Sequence, residues 1–330
     1  MCGVHAAKNA WPFRAGVPYD LRAMPLKVVF MGSDAFAVPA VEALHGSGHD
    51  LAACVTQPDR PQGRRLQVRA CPVKARAEAL GVATLTPEKV GEAIDALAVL
   101  APDAIVVAAY GQYLPRRLLA LPRLGAINIH PSLLPAYRGA APIQWAVANG
   151  DTGTGVTILE VSPRMDAGPI LLQERHPIAP DDTTPTLEAR LSALGARLML
   201  SALALLERGA ATRTPQDESR VTWARKLEKG DGLLDWTRPA VELHNRVRGF
   251  QPWPGTYCRV SGQRLGVLKT EVEAASGAPG TILAIAGAGP LIACGGGSLR
   301  LLSVHPEGRK PVSGADYLRG ARPVVGANFF

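Results

Sequence analysis

From Val28 onward the chain alternates short apolar runs with stretches of helical periodicity, and this alternation restricts the fold more than any other feature. The runs at 28–31, 51–56, 104–109 and 125–129 are continuous and rich in Val, Ile and Ala. Strands of that composition are buried on both faces, as in a parallel sheet covered by helices. Helical stretches near 36–47, 73–81, 88–100 and 115–121 separate them. The order implies right-handed βαβ crossovers and an α/β N-terminal domain with a mostly parallel, Rossmann-like sheet. Gly32 follows the first strand, but Gly32-Ser33-Asp34-Ala35-Phe36-Ala37 lacks the glycine spacing of a dinucleotide fingerprint, so a tight turn into a helix suffices there.

The pattern changes after Arg208. Residues 209–221 are polar, without core periodicity, and read as a linker. After a short helix at 241–247, brief apolar runs near 256–260, 264–272, 280–286, 290–294 and 298–304 are punctuated by Gly and Pro. That is the signature of a small C-terminal β-barrel or sandwich, and a basic, five-stranded module of this size suits an OB-like barrel. The expected division is therefore a catalytic domain at 24–208, a linker at 209–221 and a β-domain at 222–330. Met24 stands directly before the first strand, so residues 1–23 read as an extension outside the fold that need not be translated. A transit peptide is the alternative, although Lys8, Arg14 and Arg22 are few for one.

Charged residues make up 19% of the chain and apolar ones 47%, which excludes a disordered chain. The longest apolar helical stretch, around 187–206, is interrupted by Glu188, Arg190 and Arg197, so it reads as a core helix rather than a membrane span. Five scattered cysteines without a Cys-x-x-Cys pair suit reduced thiols in the cytoplasm and offer no zinc site. The formal charge of +8 is unevenly spread. Residues 57–76 hold Arg60, Arg64, Arg65, Arg69, Lys74 and Arg76 against Asp59 alone, and residues 222–330 carry 14 basic against 8 acidic side chains. Such clustering points to a polyanionic partner.

The chemistry concentrates in Gly125-Ala126-Ile127-Asn128-Ile129-His130 and the segment that follows it, Pro131-Ser132-Leu133-Leu134-Pro135-Ala136-Tyr137-Arg138-Gly139-Ala140-Ala141-Pro142. An apolar strand runs into a polar carboxyl end, where open α/β sheets place their ligand crevice. Strand periodicity puts Asn128 and His130 on one face. An amide can donate to a developing oxyanion, and an imidazole beside it can stabilise charge or relay a proton. Taken alone, an Asn-x-His at a strand end is better explained by capping. The stiff Ser132–Pro135 segment would form an apolar wall beside the pair.

The long extension after His130 resembles the signature of the folate-dependent formyltransferases, and the resemblance covers almost everything from Lys27 to about Leu318. It implies Asn128 and His130 as catalytic residues and Ser132, Leu133, Leu134 and Pro135 as folate contacts. It also implies a third catalytic group, Asp166 of Arg164-Met165-Asp166-Ala167-Gly168, where a carboxylate would fix the imidazole's orientation. Without that resemblance, Asp166 before Ala167 and Gly168 would be ordinary turn chemistry. The donor implied is 10-formyltetrahydrofolate, a co-substrate, with no metal.

Within the family, the resemblance is to members that act on tRNA. The loop Thr56-Gln57-Pro58-Asp59-Arg60-Pro61-Gln62-Gly63-Arg64, followed by Pro72-Val73-Lys74, resembles an insertion that meets the acceptor-stem end of tRNA. Trp223, Lys226, Asp235-Trp236 and Phe250-Gln251-Pro252-Trp253 are landmarks of a tRNA-binding C-terminal domain. The implied acceptor is methionyl-initiator tRNA, with Arg60, Arg64, Arg65, Lys74 and Arg138 as its contacts and Arg64 as the key acceptor-stem contact. Trp236, Phe250 and Trp253 are expected in core or interdomain packing. Ala136 stands where the family usually has a basic residue, and Leu66-Gln67-Val68 where it is often richer in lysine. Both departures bear on the strength of tRNA binding. A monomer is expected, since no interface signal stands out. An amino-sugar or ribonucleotide acceptor, or a non-catalytic RNA-binding protein, are the rival readings.

Overall fold

The computed structural model describes residues 25–62 and 67–329; the 1–23 extension lies outside them. In chain order the first domain contains β1 (Lys27–Gly32), α1 (Val38–Gly46), β2 (Asp50–Val55), β3 (Arg60–Gln62), β4 (Gln67–Arg69), α2 (Pro72–Ala79), β5 (Thr84–Leu85), α3 (Ile94–Leu100), β6 (Ala104–Ala108), α4 (Arg116–Leu119), β7 (Ala126–His130), β8 (Arg138–Gly139), α5 (Pro142–Ala148), β9 (Gly153–Glu160), β10 (Ile170–Pro177) and α6 (Thr184–Glu207). The main sheet has seven strands in the order β10-β9-β7-β6-β1-β2-β5. The five strands from β7 to β5 are parallel, and β9 and β10 extend the sheet antiparallel. The strand order reverses between β1 and β6, and open α/β sheets bind their ligands beyond the carboxyl ends of the strands at such a point.

Alternation along β1 feeds two layers. Val28 and Phe30 pack with α1, α2 and α6 on one face, and Val29 and Met31 pack with α3 and Leu118 on the other. Ile127 and Ile129 of β7 join the first layer, which turns Asn128 and His130 to the opposite face. Proline in the first turn starts α1, α2, α5 and α6, where its missing N–H costs no hydrogen bond. By length and composition α6 could cross a membrane. Here Leu187, Leu191, Leu198, Met199 and Leu203 face the sheet, and the helix covers its core.

The second domain contains β11 (Trp223–Ala224), α7 (Ala240–Gly249), β12 (Thr256–Val260), β13 (Gln263–Glu273), β14 (Ile282–Ala284), β15 (Leu291–Ala293), β16 (Ser298–Pro306), β17 (Val312–Ser313) and α8 (Gly314–Ala321). Its antiparallel sheet runs β12-β13-β16-β15-β14, with β17 paired to β16 as a sixth strand. No pairing among the described residues joins β14 back to β12, so no ladder closes the sheet into a barrel. Trp236 and Phe329 meet edge to face inside that core.

The two domains are tightly joined. Gly249 of α7 lies against α5 so closely that a Cβ would fall 2.7 Å from Ala148 N and 2.8 Å from the Gln144 carbonyl. Thr184 Oγ1 donates to the Gly249 carbonyl (2.6 Å) and Arg248 to that of Asp182 (2.6 Å). β11 pairs in parallel with β8, and Gly139, at φ 119°, is required there because a Cβ would meet the Ala224 carbonyl at 2.6 Å.

Candidate active site

β7 delivers Asn128 and His130 to the carboxyl edge of the sheet. His130 is 4% exposed. Its Nε2 lies 2.9 Å from the Tyr137 carbonyl. A carbonyl only accepts, so Nε2 carries a proton. Nδ1 faces Asp166 Oδ2 across 3.7 Å. That oxygen also accepts the Gly139 amide hydrogen at 2.9 Å, which ties the carboxylate to the segment following His130. Asp166 itself sits at φ 50°, in the left-handed region, in the loop joining β9 to β10. Aspartate tolerates that region better than most residues. The half-buried Asn128 amide has no hydrogen-bond partner among the described residues, so its donors remain available to a ligand.

The wall after His130 is fixed by its own polar groups. Ser132 Oγ donates to the Ala136 carbonyl (2.6 Å), and Thr157 Oγ1 donates to the Ser132 carbonyl (2.7 Å) and accepts from Leu134 N (3.2 Å). Gln173 Nε2 donates to the Leu134 carbonyl (3.0 Å). Ser132 and Leu134 are buried, whereas Leu133 and Pro135 keep exposed surface. Tyr137 anchors the far end by donating to Asp151 (2.8 Å). Burial, together with that carboxylate, pushes the Tyr137 phenol up to about 12.

The expected tRNA contacts divide. Arg60 is exposed and paired with Glu88 at 2.9 Å. Lys74 pairs with Asp59 at 2.7 Å, half-covered at the base of the same loop. Arg64 and Arg65 lie outside the described residues. Arg138 corrects the expectation. It is 1% exposed, with its guanidinium donating to Gln216 and Glu218, so it braces the interior and presents no charge to a nucleic acid. Trp236 and Phe250 are buried as expected, but Trp253 is 48% exposed. It lines a groove of about 370 Å³ with Lys229, Pro254, Tyr257, Arg259 and Arg264, none of them acidic. The Arg264 guanidinium lies 4.1 Å over the Tyr257 ring. Sequence reasoning missed this groove, although the pairing of aromatic and basic residues was visible. Among the described residues no group of three or more His, Cys, Asp or Glu is placed to hold a metal.

An amide, an imidazole and a carboxylate gathered at the carboxyl edge of the sheet are groups that an acyl-transfer site can use. Residues 26–203 match the formyl transferase family and residues 226–322 its C-terminal domain. The chain belongs to the formyl transferase family. It is 48% identical over 304 residues to the methionyl-tRNA formyltransferase of Anaeromyxobacter dehalogenans, covering 90% of this chain and 97% of that one. It is 44% identical over 306 residues to the methionyl-tRNA formyltransferase of Myxococcus xanthus, covering 92% and 98%. Among solved structures, HypX from Aquifex aeolicus in complex with tetrahydrofolic acid shares the fold at a TM-score of 0.63 and 19% identity, over 89% of this chain and 47% of that one. The N-formyltransferase from Helicobacter canadensis with folinic acid and dTDP-3-aminofucose does so at 0.64 and 14%, over 84% and 99%.

Proposed function

We propose that this chain transfers the formyl group of 10-formyltetrahydrofolate to the α-amino group of methionine on initiator tRNA, serving translation initiation in the cytoplasm. The observation that carries the reading is the unpartnered Asn128 amide on the same face of β7 as His130, whose Nδ1 faces Asp166. Relatives named for this activity align over nearly their whole length, C-terminal domain included.

In this mechanism the methionine amine attacks the formyl carbon. A new N–C bond forms and the bond from that carbon to folate N10 breaks, while the amine loses a proton and N10 gains one. Asn128 donates to the oxyanion of the tetrahedral intermediate, the role that fixed donors play most effectively in a site screened from water. His130 and Asp166 handle the proton, with Nε2 held by the Tyr137 carbonyl so that the Nδ1 edge faces the carboxylate. Leu133 and Pro135 present an apolar wall to the folate. Arg60 and the loop around it, with the Trp253 groove, contact the tRNA.

The test is an acceptor panel with labelled 10-formyltetrahydrofolate and charged initiator tRNA, charged elongator tRNA, amino sugars or ribonucleotide amines. Label is expected on methionyl-initiator tRNA. Label on small amines alone would overturn the acceptor, and no transfer to any acceptor would overturn the enzyme.

A further inference from the structure

The segment 209–221 has the composition of a linker, yet every second residue of its middle grips the loop that carries Asp166. Thr214 exchanges backbone hydrogen bonds with Ile170 (2.8 and 2.9 Å), just after the loop. Gln216 Nε2 donates to two carbonyls within it, those of Asp166 (2.7 Å) and Gly168 (2.8 Å). Glu218 accepts from Arg164 (2.8 Å), at the start of the loop. Glu218 opens a single 3-10 turn (Glu218–Arg220), so the segment bends there while all three residues still meet the loop or the strand that follows it.

Gln216 is held in its turn. Its Oε1 accepts from Arg138 Nε (3.1 Å) and Nη2 (2.8 Å), and Arg138 is buried, with Glu218 balancing its charge at 2.9 Å. The chemistry fixes the amide's orientation, because a guanidinium only donates and the two carbonyls only accept. One side chain therefore spans a buried cation and the backbone of a loop whose central residue occupies a left-handed conformation. Glutamate at this position would keep the acceptor for Arg138 and lose the donor for the loop.

We propose that Gln216 is a positioning residue for Asp166, with Arg138 as its anchor, so that the interdomain segment sets the carboxylate's place beside His130. The inference rests on the reading that Asp166 acts in formyl transfer. The sequence concealed this role because nothing in a polar segment marks which residue will face a loop.

The experiment is a double-mutant cycle on the full chain, read as single-turnover formyl transfer at saturating donor and methionyl-tRNA, with KM values and thermal melting measured alongside. Gln216→Glu and Gln216→Ala are expected to lower kcat about 10- to 100-fold, the scale of a misplacement near 1 Å, with KM values little changed. Gln216→Glu keeps its pairing to Arg138 but sets a carboxylate oxygen against two carbonyl oxygens, so it is expected to melt below the parent while staying folded at the assay temperature. In an Asp166→Asn background, neither change is expected to cause a further loss. Equal losses in both backgrounds, or an unchanged kcat, would overturn the positioning role. An Asp166→Asn variant with the parent rate would overturn the reading beneath it, a distinct result.

Discussion

Trp145 of the first domain and Phe250 of the second meet edge to face, their ring centroids 5.4 Å apart and their planes at 84°. Trp145 Nε1 donates to the Arg225 carbonyl (2.8 Å), and the Arg225 guanidinium lies 5.0 Å from the same ring. Phe250 is fully buried among Ala141, Ala148 and Leu227. The domain junction is thus a small apolar core of its own.

Phe250→Ala should therefore destabilise the protein by about 3–5 kcal/mol, the usual cost of emptying a buried phenylalanine site. Calorimetry should show a clear fall in the main transition, whereas Phe250→Leu should recover much of it. A melting temperature unchanged by the alanine substitution would mean that the junction contributes no stability.

The groove around Trp253 makes a second prediction. If its ring stacks on tRNA, Trp253→Ala should weaken tRNA binding by about 1–3 kcal/mol. Arg264→Ala should reduce the slope of log affinity against log salt by about 1, as the loss of one phosphate contact does. Filter binding across a salt series checks both. Neither variant should alter transfer at saturating tRNA, and parent-like affinity and slope in both would remove the groove from the tRNA interface.

Two histidines, His49 buried and His244 half-buried, make the fold less stable in mild acid. Burial holds His49 below the ordinary value of 6.5, and its Nδ1 accepts from Leu26 N at 3.3 Å. Burial, and then the nearby Arg248, hold His244 below it as well. Both are neutral in the fold and protonate more readily once unfolded. As the pH falls below about 6.5, the unfolded chain takes up protons that the folded one refuses, so stability declines and then levels off once the folded histidines protonate. Denaturant midpoints from pH 7.5 to 5 should fall in the parent and flatten in a His49→Gln, His244→Gln variant. Parallel curves for the two proteins would contradict this.

Much of the frame was legible in sequence because burial leaves a pattern. Val28 to Met31 announced a strand covered on both faces, and Asn128 and His130 could be placed on one face by parity alone. Most C-terminal strands were legible for the same reason, but not β11 and β17, whose two residues each, Trp223–Ala224 and Val312–Ser313, are too short to leave a period. Contacts made across the chain were hidden. Arg138 reads as a phosphate ligand until Gln216 and Glu218 are seen to enclose it. Trp236 and Trp253 look alike in sequence, yet one is buried in the core and the other opens onto a basic groove. The partnering of Gln216 with the Asp166 loop depends on three-dimensional closure, which no local pattern records.

In the proposed mechanism transfer depends on Asn128 and His130, and single-turnover transfer of labelled formyl from 10-formyltetrahydrofolate to methionyl-initiator tRNA tests that dependence most directly. The parent should transfer label. Asn128→Ala should slow the step about 10²- to 10³-fold, as expected for losing one oxyanion donor, and His130→Ala about 10²- to 10⁴-fold, with tRNA affinity preserved in both. Near-parent rates in either variant would contradict the assignment of the reaction to this site.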